Sequence, residues 1–392
     1  MFKRDILKEL EKNLLKKQIL AITGLRRVGK TTIVKYLFER IKSKNKFYFD
    51  LERLEHRKMF SDENYGKVIE FLKLEGADFS SKLWIVLDEI QLVPNITSLI
   101  KYLYDQYEIK FIITGSSSFY MKGQFSDSLA GRKILFELWP LSFSEFLDFK
   151  QVKVTLPPFE YRTANEYFVN RLKSYYDEYC DYGGFPEVVL APTIEDKKLL
   201  LEDILESYIK FDVLFLSDFT KADELFSIIK LLSSRVGSKI DYSKISSLTG
   251  INRHKVKDYI LFLENTFFIR LVSPFVKNPD REIALQKKIY FTDSGILNIS
   301  GKISSGALFE NTVAHQLSLK GKLQYYAKKS GQEIDFILNE NKAFEVKETP
   351  TQHDLKILKN RAGSINMKEY YLIGKTIPPS GFTYFIWGGN IY

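Results

Sequence analysis

At 392 residues, 45% hydrophobic and 27% charged, the chain is too long for one ordinary core and too rich in large apolar side chains to be disordered, so two or three domains are expected. Lysine and arginine outnumber aspartate and glutamate by 58 to 49; the net charge of +9 suits an acidic partner, nucleic acid above all, or else a lysine-rich solvated surface. The single cysteine, Cys180, excludes an internal disulfide, and the opening residues lack a signal-peptide apolar core; no uncharged apolar run approaches the roughly 18 residues that span a bilayer, so a cytoplasmic protein without membrane segments is expected.

Phe2, Ile6, Leu7, Leu10 and Leu14 recur at helical spacing and predict an amphipathic opening helix. Residues 18–23 (QILAIT) read as a short buried strand ending in a Gly-rich turn, and 31–41 return to helical periodicity. Further strand-length runs stand at 46–50 (KFYFD), 83–87 (LWIVL), 110–114 (KFIIT) and 134–138 (ILFEL), with helical stretches between most of them. That alternation predicts an α/β unit over 1–150, a parallel sheet covered on both faces. A mainly helical stretch, 151–222, follows, broken at Gly183-Gly184-Phe185-Pro186.

Over 223–299 the pattern is a helix-turn-helix followed by a hairpin. Residues 242–248 make the first helix, Gly250 the turn, and Asn252 caps a longer helix running to Glu264. Residues 266–276 and 288–292 then supply two wing strands. The last unit, 300–392, opens with a helix and continues with strands at 324–326, 334–338 and 343–347.

Gly24-Leu25-Arg26-Arg27-Val28-Gly29-Lys30-Thr31-Thr32 satisfies G-x-x-x-x-G-K-[ST] between a predicted strand and a predicted helix. Glycines let the backbone N–H groups turn inward on phosphates, and the helix that follows adds its positive end. Lys30 then reaches the terminal phosphates and the Thr31 hydroxyl ligates Mg²⁺, so ATP and Mg²⁺ are the expected ligands. The run 83–87 delivers Asp88 and Glu89 to a strand end, where Asp88 holds the ion and Glu89 polarises the attacking water. Thr114-Gly115-Ser116 closes the next strand, and Ser116 is assigned to orienting that water. Arg132 precedes the strand at 134–138; it is either an arginine that reaches a neighbouring subunit's γ-phosphate or a surface ion pair.

At this point the chain resembles a known family. GLRRVGKTT, LDEIQ, TGSSS, LAGR and WPLSFSEF together resemble AAA+-superfamily ATPases of the AAA_14 type, common in archaea and bacteria. YGGFPEVVL, SYIKFDV, FLENTFFI, KKIYFTDSG, FEN, EIDFI and FEVK resemble the DUF4143 region that such ATPases carry, so the resemblance covers nearly the whole chain. It implies an AAA+ core, a helical lid, a winged-helix module and a C-terminal restriction-endonuclease-like, PD-(D/E)XK, α/β fold. It supports Lys30, Thr31, Asp88, Glu89 and Ser116 in the roles above, and it offers no clear lid arginine of the sensor-2 type.

In the C-terminal unit, alternation along 343–347 puts Glu345 and Lys347 on one strand face, and Asp335 joins them if the strands pair. With Glu310 from the preceding helix, these carboxylates could hold a second Mg²⁺ or Mn²⁺, with Lys347 positioning a water, which is the D…E-x-K nuclease pattern. The alternative is a cross-face ion pair on a solvated strand. Arg253, Lys255 and Lys257 give the second helix of the helix-turn-helix a basic start suited to DNA, although such modules also dock proteins. The expected function is Mg²⁺-dependent ATP hydrolysis coupled to DNA binding and processing by a ring or other homo-oligomer. The alternative is a regulatory ATPase switch acting on protein partners, its C-terminal domain a platform that does not cut.

Overall fold

The computed structural model of the protein describes residues 3–115, 129–213, 222–276, 285–328 and 331–391, and it divides into two compact units. The first is built chiefly from residues up to Trp139. Its elements are α1 (Leu7–Leu14), β1 (Ile19–Thr23), α2 (Lys30–Arg40), β2 (Lys46–Asp50), α3 (Leu54–Phe60), α4 (Tyr65–Leu74), β3 (Leu83–Asp88), α5 (Ile96–Gln106), β4 (Ile109–Gly115) and β5 (Lys133–Glu137).

The five strands pair in parallel in the order β2-β3-β4-β1-β5. Every residue of β1, β3 and β4 is buried, whereas the edge strands β2 and β5 are mostly half-exposed, as a parallel sheet covered on both faces requires. Phe60, Val68, Leu72, Leu99, Ile100 and Leu103 of α3, α4 and α5 share one core cluster with strand residues such as Ala21, Ile85 and Phe111. Lys110 is a charged exception within β4. Its buried ammonium donates to the carbonyls of Asn13, Lys16 and Gln18, at and just past the end of α1, while burial pushes its pKa down to about 7.

The second unit begins with helices: α6 (Phe143–Phe149), α7 (Glu166–Tyr182), α8 (Pro186–Leu190), α9 (Ile194–Ser207), α10 (Ala222–Ser233), α11 (Tyr242–Thr249) and α12 (Arg253–Asn265). Then come β6 (Ile269–Pro274), β7 (Lys288–Phe291), α13 (Ser294–Ser300), α14 (Ser305–Ser318), β8 (Leu323–Ala327), β9 (Glu333–Leu338), β10 (Lys342–Lys347), α15 (Gln352–Gly363), β11 (Glu369–Gly374) and β12 (Ile386–Trp387). Gly250 ends α11 in the left-handed conformation at φ 71°, which is why the chain turns there into α12. β6 and β7 pair as the antiparallel hairpin expected after that helix.

The hairpin does not stand apart. β6 also pairs in parallel with β8, so a mixed seven-stranded sheet, β12-β11-β10-β9-β8-β6-β7, runs through the expected division at 299/300. Gly183-Gly184 also has a structural role. Asp293 caps α13, and one of its carboxylate oxygens accepts the Gly184 N–H at 2.8 Å while the other accepts from Ile296 at 3.0 Å. A Cβ on Gly183 would stand 2.2 Å from that carboxylate, so the break that ends α7 is shaped to receive the start of α13. Among the described residues no helix is long and apolar enough to cross a membrane.

Candidate functional site

Because the strands of the first unit are parallel, their C-terminal ends open on one edge, and that edge carries the phosphate-loop residues and the acidic pair. Gly24 leaves β1 at φ 153° with Leu138 backbone packed against it; a Cβ there would lie 2.1 Å from the Leu138 carbonyl oxygen, which excludes any other residue. Gly29 takes φ 98° and starts α2, which has no side-chain cap and no acid in its first turn. Such an end is suited to an anion. Lys30 is buried, its ammonium folded back onto the carbonyls of Gly24 (3.2 Å) and Leu25 (2.8 Å). Thr31 is half-buried and Thr32 exposed. Arg4 donates to the Val28 carbonyl at 2.9 Å and to that of Trp139 at 2.7 Å, bracing the loop from a segment the sequence showed only as the approach to an amphipathic helix.

β4 lies between β1 and β3, so its end at Thr114-Gly115 separates the loop from Asp88-Glu89. Thr114 donates its hydroxyl to Asp88 Oδ1 and accepts the Glu89 backbone N–H at 2.9 Å. Tyr48 of β2 donates to Asp88 Oδ2 at 2.5 Å; burial and the Asp88 carboxylate push its phenol well above the ordinary range. Glu89 sits in the left-handed region at φ 58°, uncommon for a non-glycine residue, and its carboxylate accepts from the Gln91 amide. Burial, followed by the charges of Glu89 and Asp50, raises the pKa of Glu52, so this edge is dense in negative charge. The donor set fits a magnesium-bound nucleotide: a buried ammonium and an uncapped helix start face the anion, and Asp88 and the Thr31 hydroxyl would hold the ion.

Ser116 lies outside the described residues; the hydroxyl that touches the acidic pair is that of Thr114. Arg132 makes a bidentate pair with Asp105, Nε to Oδ1 at 2.8 Å and an Nη to Oδ2 at 3.0 Å.

In the second unit, β9 and β10 pair from Leu338↔Lys342 to Phe336↔Phe344, and the ladder then stops. Asp335 fills the opening, its Oδ2 accepting the Val346 N–H at 2.8 Å. Glu345 beside it accepts from Lys347 at 3.0 Å and from Arg361 at 3.3 Å through one oxygen, while the buried Oε2 has no hydrogen-bond partner. Glu310 of α14 accepts from the Tyr290 hydroxyl at 2.7 Å, and Lys288 pairs with Glu333.

Burial first, and then the charge of Asp335, lifts the Glu310 carboxyl to about 7 and that of Glu345 to about 6. Asp335 is also raised, by burial. For Lys347 burial pulls downward, but Asp335 and Glu345 carry the ammonium above its usual range. The fold thus brings all four residues into one electrostatic neighbourhood. Even so, among the described residues no three His, Cys, Asp or Glu side chains form a group that could hold a metal ion. Tyr290, Arg361 and Lys288 were not visible as site residues in the sequence, because nothing local marks a side chain that arrives from another strand or helix.

The family model described as AAA domain matches residues 16–147. The first unit carries an AAA-type P-loop domain. Two domains of unknown function match the second, DUF8612 over 173–305 and DUF4143 over 305–376. An uncharacterized protein of Methanocaldococcus jannaschii is 27% identical, covering 96% of this chain and 86% of its own. One of Haemophilus influenzae is 28% identical, covering 86% and 85%. Among solved structures, the Aeropyrum pernix ORC1 protein in complex with DNA is 14% identical over 75% of this chain and 90% of that one, with a TM-score of 0.34; a likeness that low decides nothing about function.

Proposed function

We propose that the chain is a magnesium-dependent ATPase whose turnover is coupled to DNA binding and processing. The observation that carries the ATPase reading is the shared edge: the ammonium of Lys30 and the acidic pair Asp88-Glu89 stand at the ends of parallel strands one strand apart. On this reading Lys30 gives up its loop carbonyls for the β- and γ-phosphates, and Thr31 and Asp88 hold the ion. Glu89 leaves the Gln91 amide to accept a proton from the attacking water. The magnesium supplies charge neutralisation at the phosphates. Arg132 would serve a neighbouring subunit of a homo-oligomer, a role that requires it to leave Asp105, an exposed pair that costs little to break.

For the second unit, the support comes from the basic start of α12, Arg253, Lys255 and Lys257, and from the carboxylates around Asp335. We read α10–α12 with the β6–β7 hairpin as a winged helix and α14–β11 as a nuclease-like fold. The test is ATP hydrolysis by wild type and Glu89→Gln, followed by cleavage of labelled single-stranded, duplex, forked and four-way DNA by wild type and Asp335→Ala. Glu89→Gln should bind ATP and lose about 10²–10⁴-fold in turnover. Unchanged turnover in the variant overturns the role of Glu89, and no hydrolysis by wild type overturns the ATPase assignment; absence of any cleavage, with DNA bound and ATP consumed, reduces the second unit to a binding platform.

A further inference from the structure

Asp88 is gripped at both carboxylate oxygens by neutral hydroxyls from the strands on either side of it, Tyr48 of β2 and Thr114 of β4. Thr114 lies at the strand end beside the acidic pair. Tyr48 does not; it reaches Asp88 because β2 pairs with β3 in the register Tyr48↔Val86 and Asp50↔Asp88, which sets Tyr48 one pleat back on the same face as Asp88. Its ring is fixed from α2, edge-on to Phe38 with centroids 5.8 Å apart and with the Lys35 ammonium 5.9 Å from the centroid.

The choice of donor matters. An ammonium or guanidinium beside Asp88 would orient it but also cancel the charge that a divalent cation needs. A phenol fixes the carboxylate plane and leaves the negative charge in place. With one hydroxyl on each oxygen, rotating the carboxylate breaks both bonds, so its remaining lone pairs face a single direction.

We propose that Tyr48 is a positioning residue for the magnesium ligand Asp88, setting the metal affinity of the nucleotide site without touching metal or nucleotide. The inference rests on the ATPase reading above. It predicts a defect confined to the metal-dependent part of nucleotide binding, since α2 and the phosphate loop make no hydrogen bond to the Tyr48 hydroxyl among the contacts that define its position.

The experiment measures the affinity of the full chain for a fluorescent ADP analogue in EDTA and across a Mg²⁺ titration, for wild type and Tyr48→Phe, with ATP hydrolysis and thermal melting measured in parallel. The expected result is unchanged affinity in EDTA and a Mg²⁺ requirement raised about tenfold, the usual size of an outer-shell defect. ATP turnover recovers when Mg²⁺ is raised to match. An unchanged Mg²⁺ requirement overturns the proposal while leaving the ATPase reading intact. Equal loss with and without metal means that the hydroxyl acts on the nucleotide site other than through the ion and likewise overturns it. A wild-type chain that hydrolyses no ATP at any Mg²⁺ concentration overturns the ATPase reading itself.

Discussion

The two acidic sites solve the problem of keeping carboxylates together in opposite ways. At the β3 end the carboxylates are met by protein donors: Tyr48 and Thr114 on the two oxygens of Asp88, and Gln91 on one oxygen of Glu89. Around Asp335 the carboxylates push on one another. Glu310 and Glu345 are raised to about 7 and about 6, and one Glu345 oxygen is buried without a donor. Donors built into strands give a site that is ordered before its ligand arrives. Mutual repulsion gives a site whose charge is unbalanced until a proton or a cation enters.

The largest expected contrast is therefore one of sign. Thr114→Val leaves Asp88 Oδ1 and the Glu89 N–H without their partner, and should cost about 1–3 kcal/mol of stability in denaturant unfolding without metal. Asp335→Asn should stabilise the metal-free chain, because Asn can still accept from Val346 while the charge facing Glu310 and Glu345 is gone. One pKa unit of relieved repulsion corresponds to about 1.4 kcal/mol. If Asp335→Asn destabilises instead, the repulsion described for that cluster is not what governs it.

A smaller effect lies in the pH dependence. A carboxyl whose folded pKa is raised binds its proton more tightly in the folded chain, so its contribution is present below the ordinary value of 4.5 and is lost as pH rises through about 7 for Glu310. The buried imidazole of His315, pushed down to about 3 by burial and Arg270, acts in the other direction: its stability is lost as pH falls below 6.5. The two trends overlap, so the difference between wild type and Glu310→Gln isolates the first. In EDTA, wild type should lose stability relative to the variant between pH 5 and pH 7.5. A gap independent of pH would leave the cluster as an ordinary ion-pair network.

The same contrast explains what could be read in advance. The phosphate loop, the pair at 88–89 and the five strands of the first sheet are local patterns, and the P-loop and its flanking elements follow from consecutive residues. Asp335, Glu345 and Lys347 were legible because they lie on neighbouring strands joined by a short turn. What was not legible depends on pairing across long stretches of chain. The parallel contact of Ser273 with Gln324 makes the wing hairpin part of the last sheet, and no periodicity encodes that register. Tyr48 read as one more strand aromatic until the register with β3 placed it on Asp88. Nothing local marks Arg4 or Lys110; each is buried where backbone carbonyls from distant segments converge on it.

The smallest effect concerns the basic residues of α12, which the fold separates into two faces. Lys255 turns toward α10 and pairs with Glu224 at 2.6 Å. Arg253 and Lys257, four residues apart and so on one face, line a groove of about 870 Å³ against the hairpin, together with Lys287. If DNA binds this helix, its phosphates meet the second face. Lys257→Glu should weaken binding and reduce the slope of log affinity against log salt by about 1. Lys255→Glu should instead lose the pair with Glu224 and leave the salt slope close to that of wild type. Fluorescence anisotropy with labelled duplex at several salt concentrations separates the two. Equal losses in slope would place the contact on neither face in particular, and an unchanged affinity in both variants would assign α12 to packing and leave the positive charge of the chain to act elsewhere.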